Sequence, residues 1–277
     1  MKSVHSINEI TAAMEMIAAF RFKRAEGRFS RSRAYLTELG NILANLSSSA
    51  KDLSHPLFEK REIKKKTLVV MTGDRGLCGA YNANLLRMSQ QWIRDNQNAY
   101  EVSVIPVGKI GSEFFRKKGQ KMLSVYPERA MVDLSLAKKI TEEIKTSFLD
   151  KKTDSVEILY AKYVAGGAGE GKVIPFLSLD YLLETKKNAN DIVDYIYEPS
   201  FNNVFFSLLE KFLEGRMYLS LLESLTSEYS ARMVAMKQAT ENGEEVLDTL
   251  KLLRNKTRQA TITRELSEIV GGASVLA

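Results

Sequence analysis

Gly166, Gly171 and Lys172, in the run AGGAGEGKV (165–173), have the spacing G-x-x-x-x-G-K of a loop that cradles phosphate. Such a loop works because a strand feeds a glycine-rich turn that opens a helix. The first helical amides then hold the phosphate, and a Ser or Thr after the lysine ligates magnesium. Here the residue after the lysine is Val173, which has no oxygen, and the following VIPFLSL (173–179) reads as a strand containing Pro175. The pattern therefore predicts the tip of a β-hairpin over 165–172 and no bound nucleotide. A second glycine-rich run, TGDRGLCGAYN (72–82), does lie at a strand-to-helix turn. Its glycines, Gly73, Gly76 and Gly79, follow neither the phosphate-loop nor the dinucleotide spacing, and no acidic ribose partner follows. It is expected to be a tight structural turn.

Other chemistry is equally sparse. Cys78 is the only cysteine, so there is no internal disulfide, and a nucleophilic thiol would need a histidine base. The two histidines, His5 and His55, lie 50 residues apart and make no metal-ligand spacing. Carboxylate pairs such as Glu142/Glu143 and Glu244/Glu245 read as solvated helix faces. No catalytic residue, cofactor, metal or small-molecule substrate is expected. A net charge of +6 and a pI near 9.2 point to an acidic partner: nucleic acid, anionic lipid or an acidic protein surface. No apolar run approaches the roughly 18–20 residues of a membrane span, and the N-terminus lacks the apolar core of a secretory signal.

The elements follow from the helix breakers. All five prolines and ten of the sixteen glycines lie between 56 and 199. The flanking stretches, about 1–53 and 199–270, are nearly free of them, and proline inside a helix costs roughly 3 kcal/mol. The first stretch opens with a capping box, Ser6 to Glu9, and places apolar residues at Ile7, Ile10, Met14 and Ile17 and again at Leu36, Leu39, Leu43 and Leu46. The last carries two seven-residue series: Phe212, Leu219, Thr226, Met233, Thr240, Leu247, and Leu222, Tyr229, Met236, Gly243, Leu250. It is expected to stop at Gly271-Gly272. A sustained seven-residue period predicts a supercoiled helix pair, each stretch being the other's simplest partner; two hairpins broken at Gly27 and Gly243 are the alternative. Periodicity leaves the relative direction open.

Between the long helices the period changes. Strands are predicted at 67–71, 102–108, 155–164 and 173–179, with a possible further one at 121–127; helices are predicted at about 81–97, 111–119 and 133–150. Alternation of this kind makes a parallel, Rossmann-like α/β domain. The expected division is 1–55, an N-terminal coiled-coil helix; 56–198, the α/β domain; and 199–277, a C-terminal coiled-coil helix packed with the first.

Three stretches carry a family resemblance. SVHSINEITAAMEMIAAFRFKRAE (3–26), TGDRGLCGAYNANLL (72–86) and SEYSARMVAMKQATENGEEVLDTLKLLRNKTRQATITRELSEIVGGA (227–273) resemble the γ-subunit family of F-type ATP synthases, and the likeness extends over essentially the whole chain. It implies an α/β fold plus a long antiparallel coiled coil that serves as a rotor shaft inside a ring of three α and three β subunits. The ε subunit and the membrane c ring would lie at the lower end, and the nucleotide sites would belong to β. By the same resemblance Arg258, Gln259 and Thr263 would hydrogen-bond to loops of the ring and Met14 would face it, while Phe212 and Glu214 would neighbour ε and the c ring. It further implies a non-catalytic subunit at the cytoplasmic face of a bacterial plasma membrane, peripheral to it. Family members usually carry about two more basic turns before Ser3, so a late or shortened start is expected, and Ala12 and Ala13 stand where a lysine is common nearby.

A basic stripe, Arg21, Arg24, Arg28 and Arg31, and five bases without an acid between 251 and 264 suit weak contact with an acidic collar. The rival reading is a basic coiled coil that binds nucleic acid or anionic lipid; its affinity for generic polyanions would fall steeply with salt. Calorimetry with Mg-ATP on the isolated chain is expected to show no saturable heat, and a micromolar site would overturn the reading of 165–173.

Overall fold

The computed structural model describes residues 1–49, 57, 61–128, 132–164, 169–177, 198 and 200–276. In chain order the elements are α1 (Lys2–Ser49), β1 (Lys65–Met71), α2 (Tyr81–Asn96), β2 (Glu101–Val107), α3 (Lys109–Lys117), α4 (Leu134–Leu149), β3 (Ser155–Lys162), β4 (Glu170–Leu177) and α5 (Phe201–Leu276).

The four strands form one sheet in the order β2-β1-β3-β4, with β4 antiparallel to β3 and the other pairs parallel. Alternate residues face opposite layers. Leu68, Val70, Val104, Leu159 and Ala161 point to α2 and α3, where Tyr81, Leu85 and Phe115 complete a core. Val69, Met71, Ile105, Val107, Val156 and Ile158 point the other way, onto Ile140, Ile144 and Phe148 of α4 and the lower halves of α1 and α5. The possible strand at 121–127 lies beside β2 through isolated bridges at Val104–Met122 and Val107–Tyr126 and covers that edge. Strand β4 starts at Glu170, so Gly171 and Lys172 belong to the hairpin's second strand, opposite Ala161 and Tyr160, where 173 had been expected as its start. Gly166 lies outside the described residues, as do His55, Pro56 and Pro199.

The long helices pair antiparallel. Leu36 lies over Gly215, Phe212 against Gly40, Thr11 against Thr240 and Asn8 against Gly243, so one number rises as the other falls. Neither Gly27 nor Gly243 breaks its helix, which excludes the two-hairpin alternative. A Cβ at Gly243 would meet the Asn8 amide oxygen, so the Asn8 side chain would have to shift to admit one. Both seven-residue series on α5 are buried or half-buried along their length. At about 1.5 Å per residue its 76 residues span roughly 110 Å.

Two details depart from expectation. Helix α5 continues through Gly271-Gly272 to Leu276. Glycine weakens a helix by about 1 kcal/mol relative to alanine but leaves the backbone ladder intact. The second departure is on α1. Leu36, Leu39, Leu43 and Leu46 are buried, yet Ile7, Ile10 and Ile17 are 59%, 58% and 53% exposed. The inward series runs Val4, Asn8, Thr11, Ala18, Ala25 and Phe29 into the four leucines, in alternating steps that preserve one seven-residue phase. The isoleucine series is one residue out of that phase, about 100° around the helix. A continuous helix can bury only one of the two series, and the leucines, packed on the sheet and α5, decide which. Ile7, Ile10, Met16, Ile17 and Phe20 therefore form an exposed apolar ridge.

Leu43→Ala is expected to lower unfolding free energy by about 2–5 kcal/mol, as for a filled core site, while Ile10→Ala stays within about 0.5 kcal/mol. Urea unfolding midpoints of the two variants check the assignment; equal losses would mean that the seam is misplaced.

Candidate functional site

The turn after β1 docks the α/β domain onto the long helix. The Gly73 amide donates to the Asn82 side-chain oxygen at 2.8 Å, and the Glu228 carboxyl of α5 lies directly over Gly73. Glu228 is 5% exposed and pairs with Arg232 one turn later at 2.8 Å. The Arg232 guanidinium also donates to the carbonyls of Arg75 and Gly76, each at 3.3 Å. Beside them the Tyr81 hydroxyl donates to the Ser224 carbonyl at 3.0 Å. Ser220, Ser224, Ser227 and Ser230 of α5 are all buried against this end of the sheet. Small hydroxyl side chains let the helix backbone approach the strand ends closely while satisfying polar groups there. Within the turn Leu77 adopts φ 60°, a left-handed conformation that costs a non-glycine residue free energy, and its side chain is exposed.

Cys78 sits inside this junction. Burial pushes its thiol up, with Arg232 opposing, and the Asn82 amide donates to its sulfur at 3.1 Å. A buried, protonated thiol is a poor nucleophile. The 72–82 turn is a structural joint.

A second joint holds β3 and β4. Arg216 donates to the Pro175 carbonyl at 2.8 Å, lies over the rings of Phe176 and Phe212, and is pushed down to about 10 by burial. Phe212, expected near the ε subunit and the c ring, is buried between this guanidinium and Gly40. Glu214 pairs with Lys138 at 3.6 Å and borders a groove with Arg31, Tyr35, Lys138 and Lys211. Glu223 accepts from the Tyr163 amide at 3.3 Å; burial holds its carboxyl above the usual range, with Tyr160, Lys162 and Arg33 opposing.

The shaft faces divide sharply. Met14 is half-buried in a groove of about 460 Å³ with Ile17, Arg21, Leu77, Tyr229 and Arg232. In the basic stripe, Arg28 is turned inward: it donates to the Val132 carbonyl at 2.6 Å and the Tyr218 hydroxyl at 2.8 Å. Arg21, Arg24 and Arg31 stay exposed. Beyond about residue 250 helix α5 runs past the start of α1, and every described side chain from Lys251 to Ile269 is exposed. Arg258, Gln259 and Thr263 stand there together with Leu252, Leu253, Ile262 and Leu266. Lys251 pairs with Asp248 at 2.7 Å and Arg264 with Glu268 at 3.2 Å, whereas Arg254, Lys256 and Arg258 have no ion pair among the described residues.

The Glu228–Arg232 joint escaped sequence reasoning. Its available signal was the small-residue spacing of Ser220, Ser224 and Ser227 on one helical face, which marks close backbone approach. Among the described residues there is no cluster of three metal-ligating side chains, and no helix is long and apolar enough to cross a membrane.

This architecture, two long terminal helices around a four-stranded α/β domain, is shared with chains of solved ATP synthases. A central-stalk and c-ring chain of the Tetrahymena thermophila mitochondrial ATP synthase superposes with a TM-score of 0.62 at 23% identity, covering 83% of this chain and 99% of that one. A chain of the Euglena gracilis mitochondrial enzyme gives 0.60 at 17% identity over 99% of this chain and 92% of that one. The family model described as ATP synthase matches residues 1–276. The ATP synthase gamma chains of Chlorobium phaeobacteroides and Ralstonia nicotianae are 37% and 38% identical over the whole of this chain, which spans 96% and 97% of theirs. The chain belongs to the ATP synthase gamma chain family.

Arg232→Ala would leave the Glu228 carboxylate buried without its cation, which costs about 3–5 kcal/mol. Equilibrium denaturation should show that loss for Arg232→Ala and a smaller one for the double variant Arg232→Ala/Glu228→Gln. A smaller loss for the single variant would discount the joint.

Proposed function

We propose that this chain is the rotating shaft of an F-type ATP synthase: it couples ion flow through a membrane c ring to conformational change in the catalytic β subunits and performs no chemistry itself. The reading rests on one observation above all. A helix of 76 residues runs far past its intramolecular partner, and its uncovered end carries Arg258, Gln259 and Thr263 among exposed apolar residues. A polar and apolar surface on a solitary helix is suited to a sleeve of other subunits around it, three α and three β. Arg258 and Gln259 supply donors for acidic or carbonyl-bearing ring loops. Met14, beside Ile17 and the 72–82 turn, faces the same ring lower down. The lower end, with Glu214 at its surface and Phe212 bracing it from within, adjoins ε and the c ring. On this reading the chain works at the cytoplasmic face of a bacterial plasma membrane, held there by its partners.

Coupling requires that each β subunit meet a different side of the shaft, because a partner can shift an equilibrium only by its differential affinity for the two states. The exposed faces of the shaft differ in kind: an apolar ridge at Ile7, Ile10, Met16 and Phe20, exposed bases at Arg21 and Arg24, and the 72–82 turn. Exposed ion pairs are worth only about 0–1 kcal/mol each, so no single angle traps the shaft.

Pull-down of the tagged chain from native membranes should bring a complex of three α and three β subunits. In that complex Arg258→Ala/Gln259→Ala should slow ion-driven ATP synthesis about 10–100-fold, the loss expected from about 1.5–3 kcal/mol of charge-assisted hydrogen bonding. Recovery without α and β would sink the shaft reading; wild-type synthesis by the variant would remove these two residues from coupling.

A further inference from the structure

The end of α5 raises a question about the chain before assembly. We infer that residues 257–276 are not stably helical in the free chain and become a helix only when the surrounding subunits enclose them, so that helix formation is coupled to assembly. The inference rests on the shaft reading for the identity of what encloses the segment.

Among the described residues no other element packs against this stretch. The pairing of Asn8 with Gly243 and Thr11 with Thr240, carried forward at the same step, brings the start of α1 opposite about residue 249. No described side chain beyond that point is buried. In proteins most helical stability comes from packing one face, and propensity alone leaves short helices marginal in water.

Local propensity here works against the helix. Four of the seven residues from 257 to 263, Thr257, Thr261, Ile262 and Thr263, are β-branched and lose rotamer freedom against the preceding turn. Gly271 and Gly272 weaken the far end further. The Thr257 and Ser267 hydroxyls turn back onto the carbonyls of Leu253 and Thr263, each at 2.9 Å, a contact that slightly destabilises and bends helices. Against this stands, among the described residues, one side-chain pair, Arg264–Glu268 at 3.2 Å, with both partners largely exposed. The helix is already nucleated below residue 250, so the cost of starting it is absent. What remains is propagation through residues that add little at each step, and such a helix melts from its free end.

The consequence is an assembly device. An unfolded tail can be threaded into a closed ring where a rigid rod would need the ring to open, and the ordering cost falls at the moment of contact. It also leaves Ile262, Leu266 and Ile269 without a continuous apolar face before their partners arrive.

Hydrogen exchange with mass spectrometry on the full chain, free and in the purified complex, tests the proposal. Amides of 257–276 should exchange within about tenfold of the unprotected rate in the free chain, while those of 217–236 are strongly protected. In the complex the same terminal amides should slow by at least about 100-fold. Strong protection of 257–276 in the free chain would overturn the inference and leave the shaft reading intact. Fast exchange in both states would overturn the coupling and the enclosure by a ring together.

Discussion

Leu36 over Gly215 and Phe212 against Gly40 bring α1 and α5 into contact at their lower halves, and that contact dictates the rotation of both helices along their whole length. A straight helix has one phase. Once Leu36, Leu39, Leu43 and Leu46 are committed to α5 and the sheet, every residue above them is assigned inward or outward by counting in sevens. Asn8, Thr11, Ala18 and Ala25 fall inward, and Ile7, Ile10, Ile17 and Phe20 fall outward. The upper seam is accordingly thin, polar and close, and the apolar residues it rejects become the surface of the rod.

The α/β domain is bound to that rod by polar joints at the carboxyl ends of its strands. Glu228 and Arg232 clamp the 72–82 turn, Tyr81 reaches Ser224, and Arg216 grips β4 at Pro175. Below them Ile140, Ile144 and Phe148 of α4 make an apolar contact with α1, α5 and the sheet. Directional bonds above and a dry core below oppose rotation of the domain about the shaft. A subunit proposed to carry torque from one end to the other needs that resistance, because a slack joint would dissipate the turn as local motion.

The features that looked chemical are absorbed by this mechanical arrangement. Lys172 is a strand residue opposite Tyr160, Cys78 is buried in a joint, and of the glycines in the 72–82 turn Gly73 lies under the Glu228 carboxyl while Gly79 takes a left-handed φ of 57°. What the molecule presents outward is a set of unlike faces and an uncovered helix end. Those properties suit the proposed role, in which the chain acts on neighbouring subunits through contact.

Composition and periodicity by themselves determined the two long helices, the inserted α/β domain, the order of its strands and helices, and the strand that follows Lys172 where a phosphate loop would need a helix. Each is local: a proline excludes a helix, a valine cannot ligate magnesium, and a period of seven or two declares its element. The direction of the helix pair, the face of α1 that is buried, the inward turn of Arg28, and the Glu228–Arg232 joint were decided only in three dimensions. Periodicity in one segment carries no information about which distant segment it meets. Two apolar series on one helix compete for a single buried face, and the winner depends on what stands opposite. A charged pair is spared the cost of burial only when another element closes over it, so its role exists only once the fold has formed.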